Sequence, residues 1–358
     1  MTLRVGVNAA PHDEHWADFV VEAERLGADS AWVAEFWAYD ALTPLGYLAA
    51  RTSRLRLGTA ITQLGARSPA MLAMSAMSLQ FLSGGRFILG IGTSGPQVIE
   101  GWHGVPFAKP VQRTRETIEI IRAITSGERL DHAGTAYTIP LPGGAGRSIR
   151  SMAPPMAVPI YVASLGPANL RLTGQVADGW IGNSFFPETA DVFFEEIRAG
   201  AATAGRSIDE IDLTVAVSVE FTDDVEAAGR RHADGYAFTF GAMGSATENF
   251  YNEAFTRQGY GDDVREVQRL WLAGERAAAR RRVPVEIGLG TNLVGPPEII
   301  VERLERYRAA GVTTLRATVV GDDNDARLAS LGHLMDLVEV VNAAPLPAGD
   351  ESAAATDR

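Results

Sequence analysis

Short apolar runs alternate with longer segments whose apolar residues recur at helical spacing, and this rhythm repeats along most of the chain. Leu3–Asn8 reads as a strand. His15–Gly27 follows as a helix, with Trp16, Phe19, Val20, Ala23 and Leu26 at helical spacing and Gly27 at its stop. Ser30–Glu35, Leu55–Ile61 and Phe87–Thr93 are the next predicted strands. Helices are predicted near Ala41–Thr52, over Pro69–Leu82 and over Val111–Ser126; the second has Pro near its start and Gly84-Gly85 after its end. Residues 128–158 break the rhythm with polar, turn-rich sequence and read as an inserted loop or hairpin. Alternation resumes through strands Ile160–Ser164, Trp180–Ser184, Leu213–Phe221 and Thr314–Val320. The accompanying helices are Gly166–Asp178, Thr189–Gly205, Pro297–Gly311 and Arg327–Asn342. Residues 224–283 are largely helical and longer than one crossover needs.

Eight strand–helix units predict a parallel sheet buried on both faces. Eight is also the number that closes a (β/α)8, or TIM, barrel. A plain barrel takes about 250 residues, so the expected fold class is an α/β barrel with insertions after strands 4 and 7. An open doubly wound sheet is the alternative. Residues 1–344 read as one barrel domain and 345–358, rich in Pro, Ala and Asp, as a disordered tail.

Charge and composition narrow the function. Lys and Arg number 32 against 44 Asp and Glu, a net charge of −12, which argues against nucleic acid as a partner. No apolar run is long enough to cross a membrane as a helix. The N-terminal residues lack a basic-then-apolar leader, so a cytoplasmic location is expected. With no cysteine, disulfides, thiolate metal sites and cysteine nucleophiles are excluded.

A barrel carries its chemistry on the loops that follow the strands. Here these are Asn8–His12, Glu35–Asp40, Thr59–Gln63, Gly92–Gln97, Ser164–Pro167, Gly182–Phe186, Glu220–Asp223 and Val320–Asp322. Gly90-Ile91-Gly92-Thr93-Ser94-Gly95 is a literal G-x-G-x-x-G, but it follows the fourth strand and the next clear helix is predicted only near Val111. A dinucleotide-binding reading, which needs the first strand and an immediate helix, is rejected. What remains is a Gly-rich strand end whose amides can approach an anionic or planar ligand, or tight packing at a barrel corner. Ser164-Leu165-Gly166-Pro167 leads into a helix, either as a phosphate-binding N-terminus or as an ordinary cap. The six histidines form no metal-ligand pair, so no metal is expected. His12 and His103 fall on mouth loops, as proton donors or as plain solvated side chains. Glu35-Phe36-Trp37 places an acid and aromatics at the end of strand two, able to stack on a ring system or to cover the core.

Together these segments resemble the luciferase-like monooxygenase family, in its branch that uses the deazaflavin coenzyme F420. The resemblance is carried by Leu57–Ile61, Gly84–Thr93, Ser94–Gln97, Glu100–Gly104, Pro159–Ala163 with Gly166-Pro167, Ala177–Trp180 and Asn249–Asn252. It runs in order over about residues 3–340. It implies a dimeric (β/α)8 barrel holding a flavin or deazaflavin at its mouth, and a non-proline cis peptide at Ala60–Ile61 against the ring's back face. By motif position, Thr59, Ala60, Ile61, Gly92, Thr93, Ser94 and Gly95 are implied to line the cofactor. Ala163, Ser164 and Gly166, with Gly182, Asn183 and Ser184, are implied to hold its phosphate. Several relatives carry Asp-His after strand two where this chain has Glu35-Phe36. A proton-handling role therefore passes to Glu35, His12, His103 or water.

The function expected from this resemblance is hydride transfer between deazaflavin C5 and a small organic substrate. Asn8, Phe36, Trp37, Trp102 and the 128–158 insertion would wall the substrate pocket. An FMN-dependent monooxygenase and a flavin-binding barrel without turnover are the two alternatives.

Overall fold

The computed structural model describes residues 2–11, 13–244 and 249–345. The eight expected strands are all present: β1 Arg4–Asn8, β2 Ser30–Val33, β3 Arg56–Thr59, β4 Phe87–Gly92, β5 Ile160–Ala163, β6 Gly179–Gly182, β7 Asp212–Phe221 and β8 Thr314–Val319. Each pairs in parallel with the next, and β8 closes on β1 with Thr314 opposite Arg4 and Ala317 opposite Val7. The sheet is a closed eight-stranded barrel, and the open-sheet alternative is set aside. The helices that follow the strands are α1 Trp16–Arg25, α2 Leu42–Arg51, α3 Pro69–Leu82, α4 Pro110–Thr125, α5 Pro167–Val176, α6 Asp191–Thr203, α7 Pro297–Ala309 and α8 Asn324–Ala343.

Alternation along each strand sorts the side chains. Val5, Val7, Leu57, Leu89, Ile91, Val162, Val215, Val217 and Leu315 join the main core beneath the helices. Trp32, Ile88, Tyr161 and Ile181 form a separate cluster inside the barrel, edged by Ala60, Ile61 and Ala163. Trp32 fits only because its neighbours are glycines. A Cβ on Gly58 would lie 2.3 Å from its ring, and one on Gly6 2.8 Å from its Nε1.

The N-terminal end of the barrel is closed by paired charge. Arg4 reaches Asp212 at 2.8 Å, Tyr161 donates to Asp212 at 2.7 Å, and Arg56 lies between Asp29 and Asp212. Asp212 is held below the usual carboxylate range. Burial alone would raise it, but Arg4, Thr313, Tyr161 and Arg56 outweigh that.

The two insertions take opposite faces. Residues 126–159 leave the end of α4 and return to the start of β5, so they lie at the N-terminal face. They contain the antiparallel pair His132–Ala133 and Thr138–Ile139, and they fasten to α4 through Glu116 and to α3 through a bond from Gln80 to Ala157 O. The expectation that 128–158 walls the mouth is therefore corrected: an insertion after a helix emerges at the far end of the barrel from one after a strand. The segment between β7 and α7 does emerge at the mouth. It comprises helices Val225–Ala242, Phe250–Phe255, Gly261–Leu272, Arg276–Arg282 and Val285–Gly290, followed by a short strand, Leu293–Gly295, paired to the end of β7. The expected tail beyond residue 345 lies outside the described residues.

Candidate active site at the barrel mouth

The β3 end is built from a broken strand. β3 stops at Thr59, the Ala60–Ile61 peptide is cis, and Thr62-Gln63 resumes pairing with Ile91 and Gly92 of β4. Ile61 and Ala163 crowd Gly92 so closely that a Cβ there would meet Ile61 Cδ1 at 2.5 Å. Thr59 itself does not face the mouth. Its hydroxyl donates to Gly90 O at 2.7 Å and accepts from Gly90 N at 2.8 Å, so strand alternation seals it into the barrel wall.

Three non-glycine residues among those described have left-handed backbones: Ser94 (φ 56°), Lys109 (φ 48°) and Ser184 (φ 59°). Two of the three fall in the expected cofactor loops, and such conformations cluster at functional sites. A one-turn helix, Pro96–Ile99, follows Gly95 directly, earlier than the sequence suggested. Thr93 is half-buried, and its hydroxyl donates to Ser94 O at 3.3 Å.

Gly166 is the N-cap of helix α5 and provides no side-chain cap, and a Cβ on it would meet nothing within 4 Å. Pro167 has no N–H and the Asn169 amide donates to Gly166 O at 3.1 Å, so the open donors are the Gly166 and Ala168 amides. Ser164 turns the other way: its hydroxyl pairs with Thr173 at 2.9 Å, and its carbonyl accepts from Trp180 Nε1 at 2.9 Å. This residue shapes the loop and leaves any ligand contact there to backbone. Asn183 is exposed and accepts from Ser184 N at 2.8 Å, while Gly182 O accepts from Arg316.

Sequence reasoning missed Arg257 and Gln258. Both lie in the wide π-helical turn Thr256–Tyr260, kinked at Gly259 (φ 97°). Gln258 ties this turn to the β6 loop, donating to Ser184 O at 2.8 Å and accepting from Phe186 N at 3.1 Å. Arg257 donates to Leu165 O beside the α5 start, yet its Nε and Nη1 are buried without partners. Only the fold brings a residue 92 positions from Leu165 onto the α5 loop.

Glu35, expected as an acid–base group, is 8% exposed and fully engaged. Arg67 approaches both carboxylate oxygens, at 2.7 and 2.9 Å, and the Gln63 amide N–H donates at 3.1 Å. Hydrogen bonding to Glu35, then its charge, raises the Arg67 guanidinium pKa further. Gln63 donates from its side-chain nitrogen to Glu35 O at 2.8 Å, which turns its oxygen toward His103 Nε2, also at 2.8 Å. With Gln63 so oriented, His103 Nε2 is the donor in this bond. Of the remaining candidates, Phe36 and Trp37 pack edge to face and are exposed, and so is Trp102. Asn8 donates to Thr318 Oγ1 at 2.8 Å across the rim. His12 lies outside the described residues.

A cavity of about 520 Å³ lined by Phe186, Gln258, Tyr260, Glu286 and Arg303 shares no residue with the expected site. It meets the β6 loop through Phe186 and Gln258. Among the described residues no cluster of acids and histidines could hold a metal, and no helix is long and apolar enough to cross a membrane.

A closed parallel barrel with a broken third strand and a Gly-rich fourth one defines a known class of enzyme. Residues 4–314 match the luciferase-like monooxygenase family, and the chain belongs to it. It is similar to a Mycobacterium tuberculosis protein that carries the provisional name coenzyme F420-dependent oxidoreductase, at 36% identity over 92% of this chain and 97% of that one. It is also similar to 5,10-methylenetetrahydromethanopterin reductase of Archaeoglobus fulgidus, at 29% identity over 92% of this chain and 98% of the relative. In fold it matches the solved coenzyme F420-dependent tetrahydromethanopterin reductase of Methanopyrus kandleri. That match has a TM-score of 0.77 and 24% identity, covering 93% of this chain and 98% of that one.

Proposed function

We propose that this enzyme is a coenzyme F420-dependent oxidoreductase that moves a hydride between the deazaflavin and a small organic substrate. The observation that carries the reading is the anion cradle at the end of β5. The uncapped α5 amides and the two unpartnered, buried guanidinium nitrogens of Arg257 lie on the same Leu165–Gly166 turn. That pair of features fits a phosphorylated stem. The small residues Gly92 and Ala163, beside the cis Ala60–Ile61 bulge, suit a flat ring laid along the β3–β5 wall.

When bound, the deazaflavin supplies two-electron hydride chemistry at C5. The protein's part is positioning. Gly166, Ala168 and Arg257 hold the stem. Ala60, Ile61 and Gly92 support the ring. Phe36 and Trp37 shield the mouth from water. Glu35, its oxygens held by Arg67 and Gln63, acts as a positioning residue: it fixes Gln63, and Gln63 fixes His103. His103 Nδ1 is then the group that exchanges a proton with the substrate.

Titrating the protein into coenzyme F420 tests the reading. F420 fluorescence is expected to fall saturably at micromolar protein, with FMN binding at least tenfold more weakly. Tight FMN binding with no F420 response overturns the assignment in favour of an FMN-dependent enzyme.

A further inference from the structure

Arg316 lies inside the barrel. Alternation along β8 points Thr314, Arg316 and Thr318 inward. Thr314 joins the charge network at the N-terminal end, and Thr318 meets Asn8 at the rim. Arg316 lies between these two layers, only 5% exposed. Its Nη2 donates to Gly182 O at 2.9 Å, and its guanidinium sits 5.9 Å from the centre of the Trp32 ring. Nε is buried without a partner, and Nη1 makes no hydrogen bond to the described residues. No carboxylate among them lies within ion-pair distance. Asp212 and Asp29, the acids at the barrel floor, are engaged by Arg4 and Arg56.

Burial pushes the Arg316 pKa down to about 10, which still leaves it charged at neutral pH. An unpaired cation in an apolar space is costly, and proteins almost always pair such charges. Around the guanidinium the structure places the face of the Trp32 ring and the single acceptor Gly182 O. The missing partner must therefore arrive with a ligand. Its side of the barrel says which ligand. The ring wall runs along β3 to β5, whereas β8 lies across the barrel, between β7 and β1. The second reactant, not the ring, is the molecule that faces Arg316.

We propose that Arg316 is a substrate-binding residue, and that the second substrate is a small organic acid whose carboxylate meets this guanidinium and whose body is apolar. The inference rests on the deazaflavin reading above and names the substrate class for that same site. Bidentate Arg–carboxylate pairing supplies the recognition, and the Trp32 ring beside the guanidinium accepts the apolar body.

Cinnamate and its neutral isostere cinnamamide serve as probes, titrated calorimetrically into the full-length protein saturated with F420. Wild type is expected to prefer the acid by at least tenfold. Arg316→Met should abolish the preference and leave F420 affinity within twofold of wild type. It should also melt at or above the wild-type temperature, because the charge it removes has no carboxylate partner in the protein. Arg316→Lys should keep part of the preference. Equal binding of acid and amide by the F420-loaded wild type overturns the proposal and leaves the cofactor reading intact. Selectivity retained in a destabilised Arg316→Met assigns Arg316 a structural role and also overturns it. A fall in F420 affinity in Arg316→Met moves the anion to the ring, against the substrate assignment. Absence of F420 binding by wild type sinks the cofactor reading itself.

Discussion

Replacing Glu116 by glutamine should unfasten the N-terminal insertion from α4 and remove a pH-dependent share of stability. The carboxylate is 1% exposed and accepts hydrogen bonds from five donors. Gln112 Nε2 and the Thr135 amide donate at 2.8 Å, the Ala136 amide at 2.9 Å, the Tyr137 amide at 2.7 Å and the Thr135 hydroxyl at 3.2 Å. Burial alone would raise its pKa, but these donors outweigh it and hold the group at about 2, against an ordinary 4.5. At about 1.36 kcal/mol per pH unit the difference corresponds to roughly 3 kcal/mol. Because the folded pKa is depressed, this stability is present above pH 4.5 and is lost as the pH falls from 4.5 toward 2. Glutamine keeps one acceptor and turns an NH2 toward backbone N–H donors, so at pH 7 the variant should lose about 2–3 kcal/mol. His132 is the titratable side chain nearest the carboxylate, at 3.3 Å, and its replacement by Asn serves as the control. Urea unfolding at pH 7, 5, 4 and 3 measures the effect. The gap between wild type and Glu116→Gln should close as the pH drops below 4.5. F420 quenching at pH 7 should be unchanged, because the insertion lies on the face opposite the mouth. Two stability curves that run parallel across the whole range would refute the reasoning.

Further outcomes follow from the same contacts. Arg257→Ala should weaken F420 binding about ten- to a hundredfold, since charge-assisted bonds contribute roughly 1.5–3 kcal/mol, and should leave phosphate-free 5-deazariboflavin binding unaltered; equal losses for both ligands would count against the stem assignment. Gly58→Ala drives a methyl into the Trp32 ring, 2.3 Å away. It should cost about 1–3 kcal/mol, read as a lower urea midpoint and a changed tryptophan emission. Glu35→Gln leaves Arg67 half-paired at 21% side-chain exposure, so it should lower stability by about 1–2 kcal/mol, less than a fully buried broken pair. Turnover should slow while its pH profile keeps its shape. Loss of one limb of that profile would instead make Glu35 a proton carrier.

Much of the scaffold could be read from hydrophobic period alone, because a strand buried on both faces and an amphipathic helix leave different patterns. Pro69, for example, starts α3 as its position predicts, with Ser68 capping the Met71 amide. What the pattern could not supply were pairings distant in sequence. Glu35 looked like a free acid because Arg67 lies 32 positions on, and the fold alone joins them. Thr59 looked like a mouth residue because its run continues to Ile61, but the strand stops at Thr59 and turns its hydroxyl into the wall. The 128–158 segment was assigned to the wrong face because its position after α4, rather than after a strand, went unused. Arg316 carried no signal at all: a single arginine in an apolar strand normally marks an exposed edge, and only barrel closure puts it inside.

The buried guanidinium nitrogens without partners separate the two barrel ends. At the N-terminal end the half-buried guanidiniums of Arg4 and Arg56 and the carboxylates of Asp212 and Glu116 each have opposite charges or several donors around them. Among the described residues, the buried guanidinium nitrogens without partners belong to Arg113, Arg257, Arg303 and Arg316. Arg113 starts α4, Arg257 overhangs α5, Arg303 reaches Glu188 beyond β6, and Arg316 looks into the bowl. All four therefore belong to the mouth half. A protein of this composition, with a net charge of −12, has ample carboxylates to neutralise four arginines. Arg303 has Glu188 beside it, but among the described residues Arg113, Arg257 and Arg316 have no carboxylate within ion-pair distance, and all three lie at the mouth, as a site for anionic ligands would require.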